Sequence, residues 1–354
     1  LVNSDVAKGS MNSILIVGLF LSKKNKHKIQ RTPADQLAEL FVKNGLNVIT
    51  VSSFVSRILR LIDTVSTIFF KHNKYSIAIV PFYGGFRSYI WEEITVFLLH
   101  KLRKKIILIV HGGGIPERMK IKSTKYLRTM NRADYVVCPS GYLIKELADY
   151  NQPSILIENV VNLSDYHFHY RKTIKPKILW MRAFEYPYNP LMAIKVFTAI
   201  KQKYPEALMV MAGYDQGMLQ ETKELAKELL VIDSIEFPGY INNEQKNRLA
   251  KEFDIYLCTN KIDNAPISFV EMMALGLPIV TVNSGGIPFL VKNNYDCLMV
   301  NDDDIEGMAQ KILFLIDNPE KAIELINNAR ASTIRFDEKA VMRKWQAVLN
   351  ELSN

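Results

Sequence analysis

The feature that most limits how this chain can fold is a set of short, unbroken apolar runs that recurs in both halves. The first half holds Ile14-Leu15-Ile16-Val17, Val48-Ile49-Thr50-Val51, Ile77-Ala78-Ile79-Val80, Ile106-Ile107-Leu108-Ile109-Val110 and Tyr135-Val136-Val137-Cys138. The second holds Ile178-Leu179-Trp180-Met181, Leu208-Met209-Val210-Met211, Ile255-Tyr256-Leu257-Cys258, Ile279-Val280-Thr281-Val282 and Leu298-Met299-Val300. A strand that is apolar at every position is covered on both faces, as in a parallel sheet with helices on each side. With helices between the runs, the pattern predicts two doubly wound α/β domains. A length of 354 residues also suits two cores better than one. The polar stretch 162–176 reads as the linker. The expected domains are therefore 11–165 and 166–335, followed by a terminal helix over 336–354 that crosses back to the first domain.

Charge separates the halves. Residues 1–165 carry 23 Lys and Arg against 12 Asp and Glu, and residues 166–354 carry 22 against 24. A basic first half implies an anionic partner, either a membrane surface or a phosphate-bearing acceptor. The alternative is a surface simply rich in Lys. No helix-turn-helix, zinc-finger or aromatic RNA-binding pattern is present, so nucleic acid is not an expected partner. No apolar stretch reaches the length of a membrane span. Residues 1–10 lack a signal-peptide core and read as an extension or scar ahead of a natural start at Met11. Cys138, Cys258 and Cys297 are far apart in apolar runs, which predicts buried, reduced thiols in a cytoplasmic protein. The amphipathic stretch Arg57–Phe70 is expected to face the core; docking on a membrane is the minority reading. Walker, Ser-His-Asp and Gly-x-Gly-x-x-Gly patterns are missing, so kinase, hydrolase and dehydrogenase readings have no sequence support.

The chemistry concentrates in Asp263-Asn264-Ala265-Pro266-Ile267-Ser268-Phe269-Val270-Glu271. Pro266 suits a first helical turn, and Asp263 or Asn264 is placed to cap it. The N–H groups of Ala265, Ile267 and Ser268 would then face an anion. Glu271 follows about two turns later, on nearly the face of Asn264. Anion-binding amides between two hydroxyl acceptors suit a nucleotide-sugar. The plainer reading is a capped helix followed by a solvated Glu. Asp302-Asp303-Asp304 contains an Asp-x-Asp pattern, but it precedes a helical stretch where acidic residues cap well, and no metal site is expected.

The segment from Asp263 through Ala274-Leu275-Gly276-Leu277-Pro278-Ile279-Val280 to Gly285-Gly286-Ile287-Pro288 closely resembles the signature of glycosyltransferase family 4. That family has the GT-B architecture, two Rossmann-like domains facing across a cleft, and its enzymes retain anomeric configuration. The resemblance extends over most of residues 11–352, with Ile157–Asn162 similar to the family's hinge. It implies that Glu271 holds the donor ribose, Asp263 touches the transferred sugar and Arg182 neutralises the diphosphate. It also implies donor contacts from Ala265, Ile267 and Ser268, and a place for His111, with Gly112 and Gly113, beside donor sugar and acceptor. A lysine usual after the arginine is replaced by Glu185-Tyr186-Pro187-Tyr188-Asn189-Pro190, where Tyr188 and Asn189 offer neutral donors. Lys23, Lys24 and Lys26 stand where many members carry a glycine pair, and are read as solvated. The implied function is metal-independent transfer of a hexose-type sugar from a UDP- or GDP-sugar to a glycan or lipid-linked acceptor. No cofactor is implied beyond that co-substrate, and the setting is cell-surface polysaccharide assembly at the inner membrane face. The alternatives are a nucleotide-sugar epimerase of the same fold and a degenerate binder without transfer.

Overall fold

The computed structural model describes residues 13–20, 32–86 and 88–353; the stretch 1–10 and Lys23, Lys24 and Lys26 lie outside them. The chain divides into two compact units, residues 1–160 with 341–354, and residues 161–340. Each is built on six parallel strands, giving the GT-B fold class.

In the first unit the strands are β1 (Ser13–Val17), β2 (Val48–Val51), β3 (Tyr75–Phe82), β4 (Lys105–Val110), β5 (Tyr135–Cys138) and β6 (Ile155–Leu156), in the order β2-β1-β3-β4-β5-β6. In the second they are β7 (Lys177–Met181), β8 (Leu208–Ala212), β9 (Ile235–Gly239), β10 (Ile255–Cys258), β11 (Ile279–Val282) and β12 (Leu298–Val300), in the order β12-β11-β10-β7-β8-β9. The ten apolar runs all form strands. The two further strands, β6 and β9, are both at sheet edges. An edge needs less cover, so β9 reads Ile-Glu-Phe-Pro-Gly with alternating burial, and its Pro is tolerated there.

Two expectations change. The unit boundary lies at Val160–Val161, within the stretch resembling the hinge, and not in 162–176. Those polar residues are folded onto the second unit. The Arg171 side chain is almost fully buried and donates to the carbonyls of Phe253 (3.0 Å) and His169 (3.1 Å), to those of Gly276 and Ala250, and to Asp254 (3.2 Å). A polar stretch can be core when backbone acceptors surround its charge.

The terminal helix Glu338–Ser353 enters the first unit from Val341 onward. It buries Val341, Met342, Trp345, Val348 and Leu349, one face by spacing, and sets Trp345 edge-on against Phe41 at 5.6 Å.

The helix Arg57–Phe70 does not turn its apolar face inward. Of its fourteen residues, Thr64 and Ile68 are buried, while Ile58, Leu59, Ile62, Phe69 and Phe70 are exposed. The inner face is narrow: Ile68 and Leu61 pack on the core, and Trp91 donates its indole N–H to the Thr64 hydroxyl at 3.1 Å.

Candidate functional site

At the carboxyl edge of the second sheet, the residues just past β7, β8, β10 and β11 gather into one cluster. Arg182 is the first residue beyond β7, and its N–H donates to Ala212 O at 3.1 Å. Its guanidinium donates to the Asp263 carboxylate and to Ser268 Oγ (3.1 Å), and lies 4.0 Å from the Tyr188 ring centroid. Burial alone would lower its pKa, but the Asp263 charge, with smaller contributions from Tyr188, Tyr256 and Cys258, holds it above the ordinary value. The guanidinium is thus a fixed, permanently charged fork.

Asp263 is equally constrained. One oxygen accepts from Asn260 Nδ2 (2.7 Å) as well as Arg182, and the other from the Asn264 N–H (2.8 Å). Two atoms of this cluster, Arg182 Nε and Asn260 Oδ1, are buried without a hydrogen-bond partner. Folded proteins leave few such groups, so this carboxyl edge holds an unmet donor and an unmet acceptor side by side with the Asp263 carboxylate.

The Gly285-Gly286 turn closes this loop. Gly286 donates to Asp263 O at 2.7 Å, and a Cβ on it would stand 1.7 Å from Asn264 O. No side chain fits, so the glycine is there for backbone contact. Ser284 adds a bond from Oγ to Asn260 O at 2.5 Å.

The helix that follows is Ile267–Leu275, one residue shorter at its start than Pro266 suggests. Pro266 is its N-cap, in extended conformation, and neither Asp263 nor Asn264 caps it by side chain. The Asp263 carboxylate is already engaged by Arg182 and Asn260, which explains the difference. Ala265 therefore lies ahead of the helix, while Ile267 and Ser268 open it, where N–H groups lack intrahelical acceptors.

Glu271 is buried, with 8% of its side chain exposed, and is not a solvated residue. Oε1 accepts from the Tyr166 hydroxyl at 2.7 Å and Oε2 from Lys246 Nζ at 2.7 Å. Burial, and then the Glu271 charge, push the Tyr166 phenol well above its usual range, so it stays a donor.

Asn189 does not join the Arg182 cluster. It sits in left-handed conformation (φ 48°), caps the helix Pro190–Lys203 by accepting from the Met192 N–H (3.3 Å), and donates to Asp303 (3.1 Å). Tyr188 is the neighbour that reaches Arg182. The acidic triplet is absorbed locally. Asp304 caps the helix Ile305–Asp317 through the Gly307 N–H (2.9 Å), and Lys261 pairs with Asp303 (2.5 Å) and Asp302 (3.6 Å). Among the described residues, no group of three or more His, Cys, Asp or Glu is placed to hold a metal.

His111, Gly112 and Gly113 belong to the first unit, just past β4. The His111 N–H donates to Phe82 O (3.0 Å) and its ring stacks on Tyr83 at 5.5 Å and 25°. Burial lowers the imidazole pKa to about 4, so it is neutral at ordinary pH. Gly112 serves its own fold: a Cβ there would stand 2.3 Å from Tyr83 O. Gly113 continues the turn that leads to the helix Ile115–Met130. Below this turn the fully buried Glu92 accepts the N–H groups of Tyr83 and Gly84, each at 3.0 Å. A cavity of about 640 Å³ beside Tyr83 is bordered by Gly18, Arg57, Arg60, Ser88 and Trp91.

Sequence reasoning missed Asn260, Tyr166, Lys246 and Glu92. Lys246 lies in the polar helix Asn243–Glu252, which reads as solvated, and Tyr166 is 105 positions from its partner. No local signal marks either.

Comparison with known proteins bears on this geometry. Residues 165–332 match the family model described as Glycosyl transferases group 1, a little under half of the chain. An uncharacterized glycosyltransferase of Haemophilus influenzae is 27% identical over 157 residues, covering 44% of this chain and 44% of the relative. A Dictyostelium discoideum protein, GDP-Man:Man(3)GlcNAc(2)-PP-Dol alpha-1,2-mannosyltransferase, is 26% identical over 194 residues, covering 51% of this chain and 38% of the relative. The chain thus matches less than half the length of these curated relatives. The crystal structure of Anabaena Alr3699/HepE in complex with UDP superimposes with a TM-score of 0.72 at 14% identity, covering 96% of this chain and all of that one. In sequence over most of its second unit the chain resembles the group 1 glycosyl transferases, and in fold it resembles the GT-B glycosyltransferases.

Proposed function

We propose that this chain is a retaining, metal-independent glycosyltransferase that moves a hexose-type sugar from a nucleotide-diphosphate sugar to a glycan or lipid-linked acceptor. The observation that carries the reading is Arg182, held by Asp263, Ser268 and Tyr188 at the carboxyl edge of the second sheet with its Nε unpartnered. A rigid guanidinium suits a diphosphate, and its charge stabilises the leaving group as the anomeric C–O bond breaks. Ile267 and Ser268, at the head of their helix, add N–H donors. Glu271 takes the ribose hydroxyls, and Asp263 both orients Arg182 and faces the sugar. No protein nucleophile is assigned. The acceptor oxygen attacks on the face the diphosphate leaves, and its proton passes to the departing phosphate.

The first unit is the acceptor-binding unit, through His111 and the cavity beside Arg57 and Arg60. Support for the donor comes from the HepE structure, a complex with UDP. Support for a lipid-linked acceptor comes from the Dictyostelium relative, whose name specifies a dolichol-diphosphate glycan. A lipid-linked acceptor would be met at the cytoplasmic membrane surface, in polysaccharide assembly.

The test is incubation with a panel of nucleotide-sugars, with and without lipid-linked acceptors, followed by NMR. Nucleotide release with a new α-glycoside, unchanged by a chelator, is the expected result. Epimerised donor formed without acceptor overturns transfer. Binding without turnover across the panel assigns the chain to the binder class.

A further inference from the structure

We propose that the outward face of the helix Arg57–Phe70 docks on an anionic lipid surface. Ile58, Ile62, Val65 and Phe69 recur at steps of four, three and four residues, which is one helical face. That face flanks the inward one by about a quarter-turn: Leu61, Thr64 and Ile68 pack on the unit, Val65 is half-buried, and Leu59 and Phe70 extend the exposed side farther round. Exposure of Ile58, Leu59, Ile62, Phe69 and Phe70 runs from 47% at Phe69 to 86% at Phe70, and Val55 precedes them on the surface. A contiguous apolar ridge of this kind is uncommon on a soluble surface and marks an interaction site.

The charges around the ridge select the occupant. Residues 57–74 carry Arg57, Arg60, Lys71 and Lys74 against Asp63 alone. None of these four cations pairs with a carboxylate among the described residues. The whole unit holds 25 Lys and Arg against 12 Asp and Glu. A second copy would bring these cations against their own kind. Side chains this exposed project as a ridge instead of lining a groove, so they offer a folded partner no pocket to fill. A bilayer with anionic headgroups accepts both features: the apolar side chains enter the headgroup–acyl boundary and the lysines and arginines meet phosphates. Attachment from the surface also agrees with the helix inventory, since no helix among the described residues is long and apolar enough to cross a membrane.

The inference deepens the reading of a membrane-borne acceptor and is tested apart from it. The intact chain is sedimented with vesicles of phosphatidylcholine alone and of phosphatidylcholine mixed with phosphatidylglycerol. Binding to the mixed vesicles, weakened by salt, is expected. Ile62→Gln with Phe70→Gln should lower the partition constant about tenfold or more. Lys71→Glu with Lys74→Glu should abolish the preference for anionic vesicles. Both pairs alter exposed side chains, and circular dichroism checks the fold. No binding by the parent protein overturns the proposal, as does binding that survives both double variants. A parent dimer that Ile62→Gln with Phe70→Gln dissociates, without vesicle binding, assigns the face to a second copy instead. Vesicle binding requires neither donor nor acceptor, so its outcome is independent of whether transfer is observed.

Discussion

The two units share a sheet plan and differ in what they do with charge. In the second, the polar groups that matter are buried and joined: Arg182 with Asp263, Glu271 with Lys246 and Tyr166, Arg171 with backbone carbonyls. In the first, buried Glu92 is held by backbone amides, and Arg57 and Arg60 border a cavity without a carboxylate partner among the described residues. Twelve acidic residues oppose 25 basic ones in the first unit, and 24 oppose 20 in the second. The scaffold is therefore permissive. One pattern of apolar runs supports a unit whose buried charges are paired within the protein and another that carries an excess of basic side chains.

Variants that sharpen this contrast begin with Arg182. Arg182→Ala should lower kcat/KM for transfer by about a hundredfold or more, measured as nucleotide release. Arg182→Lys should recover little of it, because an ammonium cannot reproduce the fork across Asp263 and Ser268. Unchanged turnover in both would remove the arginine from the reaction.

Next comes the turn beneath the site. Gly286→Ala forces a Cβ into the Asn264 carbonyl and should cost the second unit about 2–4 kcal/mol in urea unfolding. Trp91 and Trp345 lie in the first unit and Trp180 in the second, so Trp91→Phe with Trp345→Phe leaves fluorescence reporting the second alone. Gly112→Ala is the matched change in the first unit. It should cost less, since its contact with Tyr83 O is 2.3 Å against 1.7 Å. Equal losses would mean that backbone relaxation, not closeness of approach, decides the cost.

Glu271→Gln should raise the donor KM about tenfold with a smaller change in kcat, because it removes the anion that Lys246 and Tyr166 surround. A KM unaltered by this change would detach Glu271 from the donor.

The smallest effect concerns His111. Its folded pKa, about 4, is below the ordinary 6.5, so the unfolded chain takes up the proton first. The first unit should lose stability as pH falls through that window and level off below it. Nitrogen-15 NMR should find a neutral ring at pH 5 (~1 unit above the folded value). A ring that titrates near its ordinary value would mean that water reaches it.

How much of this was legible in the sequence follows from how far each contact reaches along the chain. Ten strands, the edges β2 and β12 among them, announce themselves because each is an unbroken, mainly apolar run. The edges β6 and β9 leave a weaker mark, since β6 is two residues long and β9 alternates between buried and open positions. Arg182, Asp263, Ser268 and Glu271 were found through the ends of strands and the resemblance. Their pairing with one another and with Lys246 and Tyr166 was not, because it depends on residues tens of positions away that happen to share an edge. The helix Arg57–Phe70 failed in the opposite sense. Its apolar stripe was visible, but periodicity does not say which way a stripe turns, and the contacts that orient it, Ile68 and Leu61 on the core and Thr64 on Trp91, lie partly off that stripe.

The grip on Glu271 has a consequence for timing. Stripping water from a carboxylate and freezing its torsions are costs that a binding site ordinarily meets when a ligand arrives. Here the chain meets both as it folds, because Tyr166 and Lys246 close on the two oxygens within a single unit. On the proposed reading, a ribose hydroxyl that arrives would find lone pairs already aligned and little hydration to displace. Affinity at that point therefore reports on the integrity of the unit, and warming or mild denaturant that loosens either partner should weaken binding before any strand is lost.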